Sequence, residues 1–156
     1  MSIHDSGERR EFNSGAVRDV AEGKGRCDLI PLVIVCDLLE DEILGKVGSY
    51  VEKGYPGYIH DAIRTFIKKH YADYETALLE VAKHYEDGAK KYAERNWEKG
   101  IPIHCYVDSG VRHYLKFRRG DTDEAHDRAF LWNMLGLIWT HFNKPELIDL
   151  PFAEEI

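Results

Sequence analysis

At 156 residues, 44% hydrophobic and 31% charged, the chain has the size and makeup of one globular domain with a core of its own. A formal charge of −7 excludes a general nucleic-acid coat, which needs a basic surplus, but leaves room for a local basic pocket suited to a small phosphate ligand. No run approaches the ~18 apolar residues of a membrane span, and the polar start MSIHDSGERREF lacks a signal core. Cys27, Cys36 and Cys105 are scattered without a CxxC, which points to reduced thiols; a cytoplasmic protein is expected.

In chain order, residues 1–12 carry no pattern and are expected to be mobile until something orders them. Residues 12–31, FNSGAVRDVAEGKGRCDLIP, form a glycine-rich arm. Gly15, Gly23 and Gly25 permit positive φ, and Arg18, Lys24 and Arg26 can pair with phosphate oxygens. GKGR lacks the spacing of a Walker loop, so the arm by itself also reads as plain surface.

Pro31 suits a helix start, and Leu32, Val35, Leu39, Ile43, Val47 and Val51 recur at helical spacing until Gly54. One helix is predicted there, with Asp37 and Glu40 on a shared, solvated face. After Pro56-Gly57 comes an amphipathic packing helix through Ile59, Ala62, Ile63, Phe66 and Ile67. The next helix, 74–95, buries Ala77, Leu78, Val81 and Tyr85, with Gly88 at the edge where another backbone could approach. On its flanks Glu80, His84, Asp87 and Lys91, and Glu86 and Lys90, read as ion pairs. Trp97, in the polar loop RNWEKGIP, either folds back on the core or stacks on a ligand ring.

A helix over 104–117 buries Tyr106, Val111 and Tyr114, pairs Asp108 with Arg112 and leaves His113 at the boundary. The last helix, 123–142, is capped by Asp121 or Thr122, with Asp123 and Glu124 at its positive end. From Ala129 to Trp139 its only polar side chain is Asn133, on one line with His126 and Thr140. An unpaired buried amide costs ~1–3 kcal/mol, so Asn133 demands a partner, and a functional pocket would supply one. The architecture expected is all-α, a compact bundle of about five helices with no secure strand and a glycine-rich N-terminal arm.

In GAVRDVAEGKGRCDLIP, GAKKYAERNWEKGIP and DSGVRHYLKFRRGDTDEAHDRAFLWN, the chain resembles the dATP/dGTP diphosphohydrolases of phages and bacteria, in their N-terminal domain. The resemblance covers 12–31 and 83–141, about half of the chain, and leaves 32–78 as a helical insertion in a single domain. It implies cleavage of a deoxynucleoside triphosphate to monophosphate and pyrophosphate, and kinship with all-α, Mg²⁺-dependent MazG-like enzymes. Carried over by motif, Arg18, Lys24, Arg26, Lys90, Lys91, Tyr92, Arg95, Asn96 and Trp97 belong to the ligand site. Asp108, Arg112, His113, Asp123, Glu124, His126, Trp132 and Asn133 complete it.

The chain also departs from that pattern. Glu124 and Asp127 give the ExxD of MazG-like enzymes, but no clean ExxE precedes them, and Asp37 and Glu40 are a distant substitute. Ala129 stands where the family carries a second histidine, and Asp127 where it carries an apolar residue. With Mg²⁺ or Mn²⁺ in mind, Glu86, Asp108, Asp123 and Glu124 are the expected ligands, and Lys90, Lys91, Arg95 and Arg112 the phosphate holders. His113 or His126 would orient or deprotonate water, Trp97 or Tyr92 would stack on a base, and Asn133 would read its edge. A non-catalytic nucleotide-binding protein and a helical interaction protein without a ligand remain as alternatives. The expected partners are a small nucleotide and further copies of the chain, with no long nucleic acid and no membrane.

Overall fold

A computed structural model describes residues 5–155 as six α-helices and one short hairpin. The all-α expectation holds, with a short hairpin as the one addition to it: β1 (Arg9–Glu11) pairs antiparallel with β2 (Val17–Asp19), with Arg10 opposite Arg18. Residues 5–11 are therefore part of the fold, and residues 1–4 lie outside the described residues. Gly15 sits at φ 92° in the connecting turn, a conformation that favours glycine.

The helix predicted over 32–53 is two: α1 (Leu32–Leu39) and α2 (Glu42–Lys53). The break is chemical. Glu40 adopts a left-handed conformation at φ 52°, and the Asp41 carboxylate accepts the Ile43 and Leu44 N–H groups, capping α2. Asp41 also accepts from Tyr114 Oη at 2.5 Å and Arg118 Nη1 at 3.0 Å, both on α5, so α2 and α5 converge on one carboxylate. Asp37 and Glu40 consequently share no helical face.

Next come α3 (Gly57–His70) and α4 (Tyr74–Lys91), the latter capped by Asp73. On α4 Ala77 and Val81 are buried, while Tyr74 and Leu78 stay exposed, so its apolar side is only partly covered. Gly88 meets no neighbouring backbone, contrary to expectation. A 3-10 turn over Asn96–Lys99 leads to α5 (Ile103–Arg119), which Gly120 ends in the left-handed region, and then to α6 (His126–Asn143). The last helix starts three residues later than predicted and has no side-chain cap. Its expected cap, Asp121, instead pairs with Arg119.

α5 and α6 form the most extensive helix pair. Their approach is set by Gly136, where an added Cβ would fall 2.5 Å from a Tyr106 ring carbon. The core continues through Ile43, Val47 and Tyr50 of α2 and Ile59 and Phe66 of α3. The Phe66 ring touches Tyr114, Phe117 and Phe130, with the Phe130 centroid 4.8 Å away. Each such burial is worth ~1.5–3 kcal/mol. No helix among the described residues is long and apolar enough to cross a membrane.

Candidate functional site

A cavity of about 640 Å³ opens between the hairpin, α4, the 96–99 turn, α5 and the start of α6. That volume lies in the range of small-molecule sites. Its roof is the N-terminal arm, held by an amide acting as a strand edge: Asn96 Oδ1 accepts the Val17 N–H at 2.9 Å, and Asn96 Nδ2 donates to the Val17 carbonyl at 2.8 Å. Ser14 Oγ donates to the Gly100 carbonyl nearby. Trp97 folds back on the core, as the first of its two readings has it. It packs edge-on against Trp139 and Tyr85, at 5.0 and 5.9 Å, and also lines the cavity.

Below the roof lies Arg18. Its guanidinium donates to Asn133 Oδ1 at 3.3 Å and to the Cys105 carbonyl at 3.5 Å, both long for N–H···O bonds. It lies over the rings of Trp132 (5.4 Å) and Tyr106 (5.8 Å), and burial pushes its pKa down. Among the described residues no carboxylate comes within 4.0 Å of it. A cation removed from water without a counter-ion is costly, so this wall favours an anionic or strongly accepting ligand. Asn133, 1% exposed, does not line the cavity. Its carboxamide is spent on Arg18 and, through Nδ2, on the Ala129 carbonyl at 2.8 Å. It therefore faces Arg18 and not the cavity space in which a base was expected.

At the far end His113 Nδ1 lies 2.9 Å from His126 Nδ1, and His126 Nε2 lies 2.7 Å from Asp123 Oδ1. His126 is 2% exposed, while His113, Asp123 and Glu124 reach the cavity wall. Burial first, then neighbouring positive charge, holds the His113 pKa well below its ordinary value. Two overlapping groups bring ligand atoms within 4.8 Å of one another: His113, Glu124 and His126, and Asp121, Asp123 and His126.

The other predicted residues divide. Lys24, Lys91, Tyr92, Arg95 and Arg112 line the cavity with Arg18, Asn96 and Trp97. Lys24 pairs with Asp19 at 3.4 Å, Arg95 with Glu98 at 2.7 Å, and Tyr92 receives the Arg9 guanidinium over its ring. Arg26 instead forms a two-pronged pair with Asp28, outside the cavity. Lys90 and Glu86 pair with each other on the outer surface of α4, where the Glu86 side chain is 64% exposed. Asp108 accepts the Cys27 N–H at 2.7 Å and Arg112 Nη2 at 2.6 Å, so it ties the arm to α5. Asp127 accepts from Tyr71 Oη. The expected quartet Glu86, Asp108, Asp123 and Glu124 is thus not assembled.

Sequence reasoning missed Arg10, His84, Tyr85, Lys116 and Arg119, all on the cavity wall. Arg10 was hidden by an unrecognised strand. Lys116 and Arg119 follow Arg112 at intervals of four and three, a helical face that spacing could have exposed. His84 was read as part of a solvated ion-pair row. In the fold it packs beside Trp132, and burial, then Arg18, lowers its pKa to about 4.

Residues 65–149 match the family described as dATP/dGTP diphosphohydrolase, N-terminal. The chain belongs to this family. No curated protein and no solved structure matches it significantly. The matched span holds α4 through α6, and hence the aromatic wall and the histidine corner, whereas Arg18 and the hairpin precede it. The name of the diphosphohydrolase family points to nucleotide hydrolysis. Mg²⁺ prefers an all-oxygen octahedral shell, but both donor groups among the described residues include a histidine. The all-carboxylate ligand set expected for Mg²⁺ does not fit this corner.

Proposed function

We propose that this cavity binds a purine deoxynucleoside triphosphate and hydrolyses it to the monophosphate and pyrophosphate. The observation that carries the reading is Arg18, a buried guanidinium facing a ligand-sized cavity with no carboxylate partner among the described residues. Cationic side chains outnumber carboxylates around the cavity, in a chain whose net charge is −7. Such a pocket concentrates a polyanion against the field of the whole protein.

Tyr85, Tyr92, Trp97 and Trp132 supply π-faces for a base, an interaction that tolerates either purine. Lys24, Lys116 and Arg119 are placed to hold phosphates by charge. In the reaction, water adds to the α-phosphorus while the bond from that phosphorus to the α–β bridging oxygen breaks, and the bridging oxygen leaves with the pyrophosphate. The His113–His126 corner is the part of the wall fitted to handle that water. Glu86 and Asp108 have no part in it, because both are committed elsewhere.

That same dispersal of acids favours a second reading, a nucleotide-binding protein without turnover. One experiment separates the two. A panel of dNTPs and NTPs is scored for thermal shift and for pyrophosphate release. Purine dNTPs are expected to raise the melting temperature, since a ligand at 100 times its Kd adds ~2.7 kcal/mol, and to release pyrophosphate. A shift without release establishes the second reading. No shift with any nucleotide overturns both.

A further inference from the structure

The geometry points to a transition-metal site at the inner end of the cavity, with His113, His126 and Glu124 as its ligands and ions such as Mn²⁺, Co²⁺ or Zn²⁺, not Mg²⁺, as its occupants. The argument begins with one proton. His126 Nε2 faces Asp123 Oδ1 at 2.7 Å, and a carboxylate can only accept there, so Nε2 carries the N–H. Its Nδ1 is then a lone pair, almost fully buried and aimed at His113, whose Nδ1–H it accepts without an ion and whose proton an ion would displace.

The two Nδ1 atoms are 2.9 Å apart. Two imidazole nitrogens at ~2.1 Å from one ion and at right angles about it stand roughly 3.0 Å apart, so the pair is preset as adjacent ligands. Glu124 brings a carboxylate oxygen within 4.8 Å of both rings. His113 and Glu124 lie on the cavity wall, which leaves the remaining coordination positions open toward the ligand space.

Asp123 completes the arrangement without being a ligand. A carboxylate on the far nitrogen of a ligating histidine fixes its tautomer and ring orientation and raises its basicity. Two imidazoles and one carboxylate form a donor set of intermediate softness, which favours later first-row ions over magnesium. This assignment deepens the nucleotide reading and rests on it for its purpose. Ion binding itself is measured without nucleotide.

The test uses the full chain, stripped with EDTA and free of nucleotide. Calorimetry with Co²⁺, Mn²⁺ and Mg²⁺ is paired with the visible spectrum of the Co²⁺ form and with pulsed electron paramagnetic resonance of the Mn²⁺ form, which detects directly bound ¹⁴N. The expected result is one Co²⁺ per chain, bound at least 100-fold more tightly than Mg²⁺, with ¹⁴N coupling from two imidazoles. His113→Ala should weaken Co²⁺ at least 30-fold, and Glu86→Gln should leave it unchanged. Equal affinity for Mg²⁺ and Co²⁺, absence of nitrogen coupling in the wild-type protein, or an unaltered Co²⁺ isotherm in His113→Ala overturns the site. The wild-type resonance measurement keeps the test decisive should the variant fail to fold. Nucleotide thermal shift in EDTA is read separately, so loss of the metal site and loss of the nucleotide reading are distinct results.

Discussion

The two sides of α5 settle their polar groups in opposite ways. Toward α2, Tyr114 and Arg118 meet Asp41, and that carboxylate also caps α2. Every partner is supplied by the chain. Toward the cavity, Arg18 lies against the Cys105 carbonyl and Asn133 with no carboxylate near it among the described residues, and the His113 ring is hydrogen-bonded to a second imidazole, His126, in place of a charged partner. One side is finished on folding, whereas the other is finished by whatever enters. Internally matched groups should therefore govern stability, and unmatched ones should govern ligand affinity.

The largest stability effect is expected at Asp41. Asp41→Ala removes a helix cap worth ~1 kcal/mol and leaves a buried hydroxyl and a guanidinium short of an acceptor, for a total of about 3 kcal/mol. Nucleotide affinity should stay within twofold. Urea denaturation beside a binding isotherm reads both quantities, and an affinity loss equal to the stability loss would erase the distinction between the two sides.

Arg18→Met is the mirror experiment. Nucleotide affinity should fall about 30-fold, or roughly 2 kcal/mol, the scale of losing a buried charge-assisted contact. Stability should change by no more than about 1 kcal/mol, because relief of an uncompensated buried cation offsets the acceptor left idle on Asn133. A collapse of the melting temperature with affinity intact would make Arg18 part of the frame.

The same contrast bears on how the chain can be read. Helices α3 through α5 were legible because each presents an apolar stripe at helical spacing, and α6 because it is apolar nearly all round. The division of 32–53 was not, since Leu39 and Ile43 continue the stripe across the break, and only the tertiary demand of Tyr114 and Arg118 on Asp41 selects a cap there. The hairpin was illegible for a related reason: its edge is held by an asparagine 79 residues downstream in sequence. Of the site, the arm's Arg18 and the RNW turn were legible through resemblance. Asp108 was misread because a carboxylate that pairs with Arg112 looks the same in sequence whether it faces a metal or a backbone N–H. Asn133 was rightly seen to need a partner, but that partner is a protein arginine.

The interface between α5 and α6 offers a smaller, graded test. Gly136→Ala places a Cβ 2.5 Å from a rigid Tyr106 ring, so the helices must separate; a loss of about 1.5 kcal/mol is expected. Gly110→Ala meets the flexible end of Met134 at a similar distance and the Asn133 Cβ at 3.3 Å, so repacking of Met134 with a small shift at Asn133 should hold the change within about 1 kcal/mol. Equal losses in thermal melts would show the helix pair to be less tightly fixed than Gly136 implies.

The smallest effect is the most informative about sign. His104, at the start of α5, binds Asp149, which also accepts the His104 backbone N–H. The hydrogen bond to Asp149 is the main cause that raises the His104 pKa to about 10. A raised histidine pKa means that the folded state holds its proton more tightly, so this contribution is full below about 6.5 and fades as pH rises toward 10. His84 in the cavity wall behaves oppositely: with its pKa lowered to about 4, the folded state resists protonation, and stability is lost as pH falls from 6.5 toward 4. Both His104 and Asp149 keep about a third of their side chains exposed, so solvent screening limits the pair to ~1 kcal/mol or less. The check is the stability difference between wild type and His104→Asn, and between wild type and His84→Gln, followed from pH 4 to 10. The first difference should shrink on the alkaline side and the second on the acid side. If both shrink in the same direction, the cavity wall and the outer end of α5 are electrostatically alike, and the division between a finished and an unfinished side loses its basis in charge.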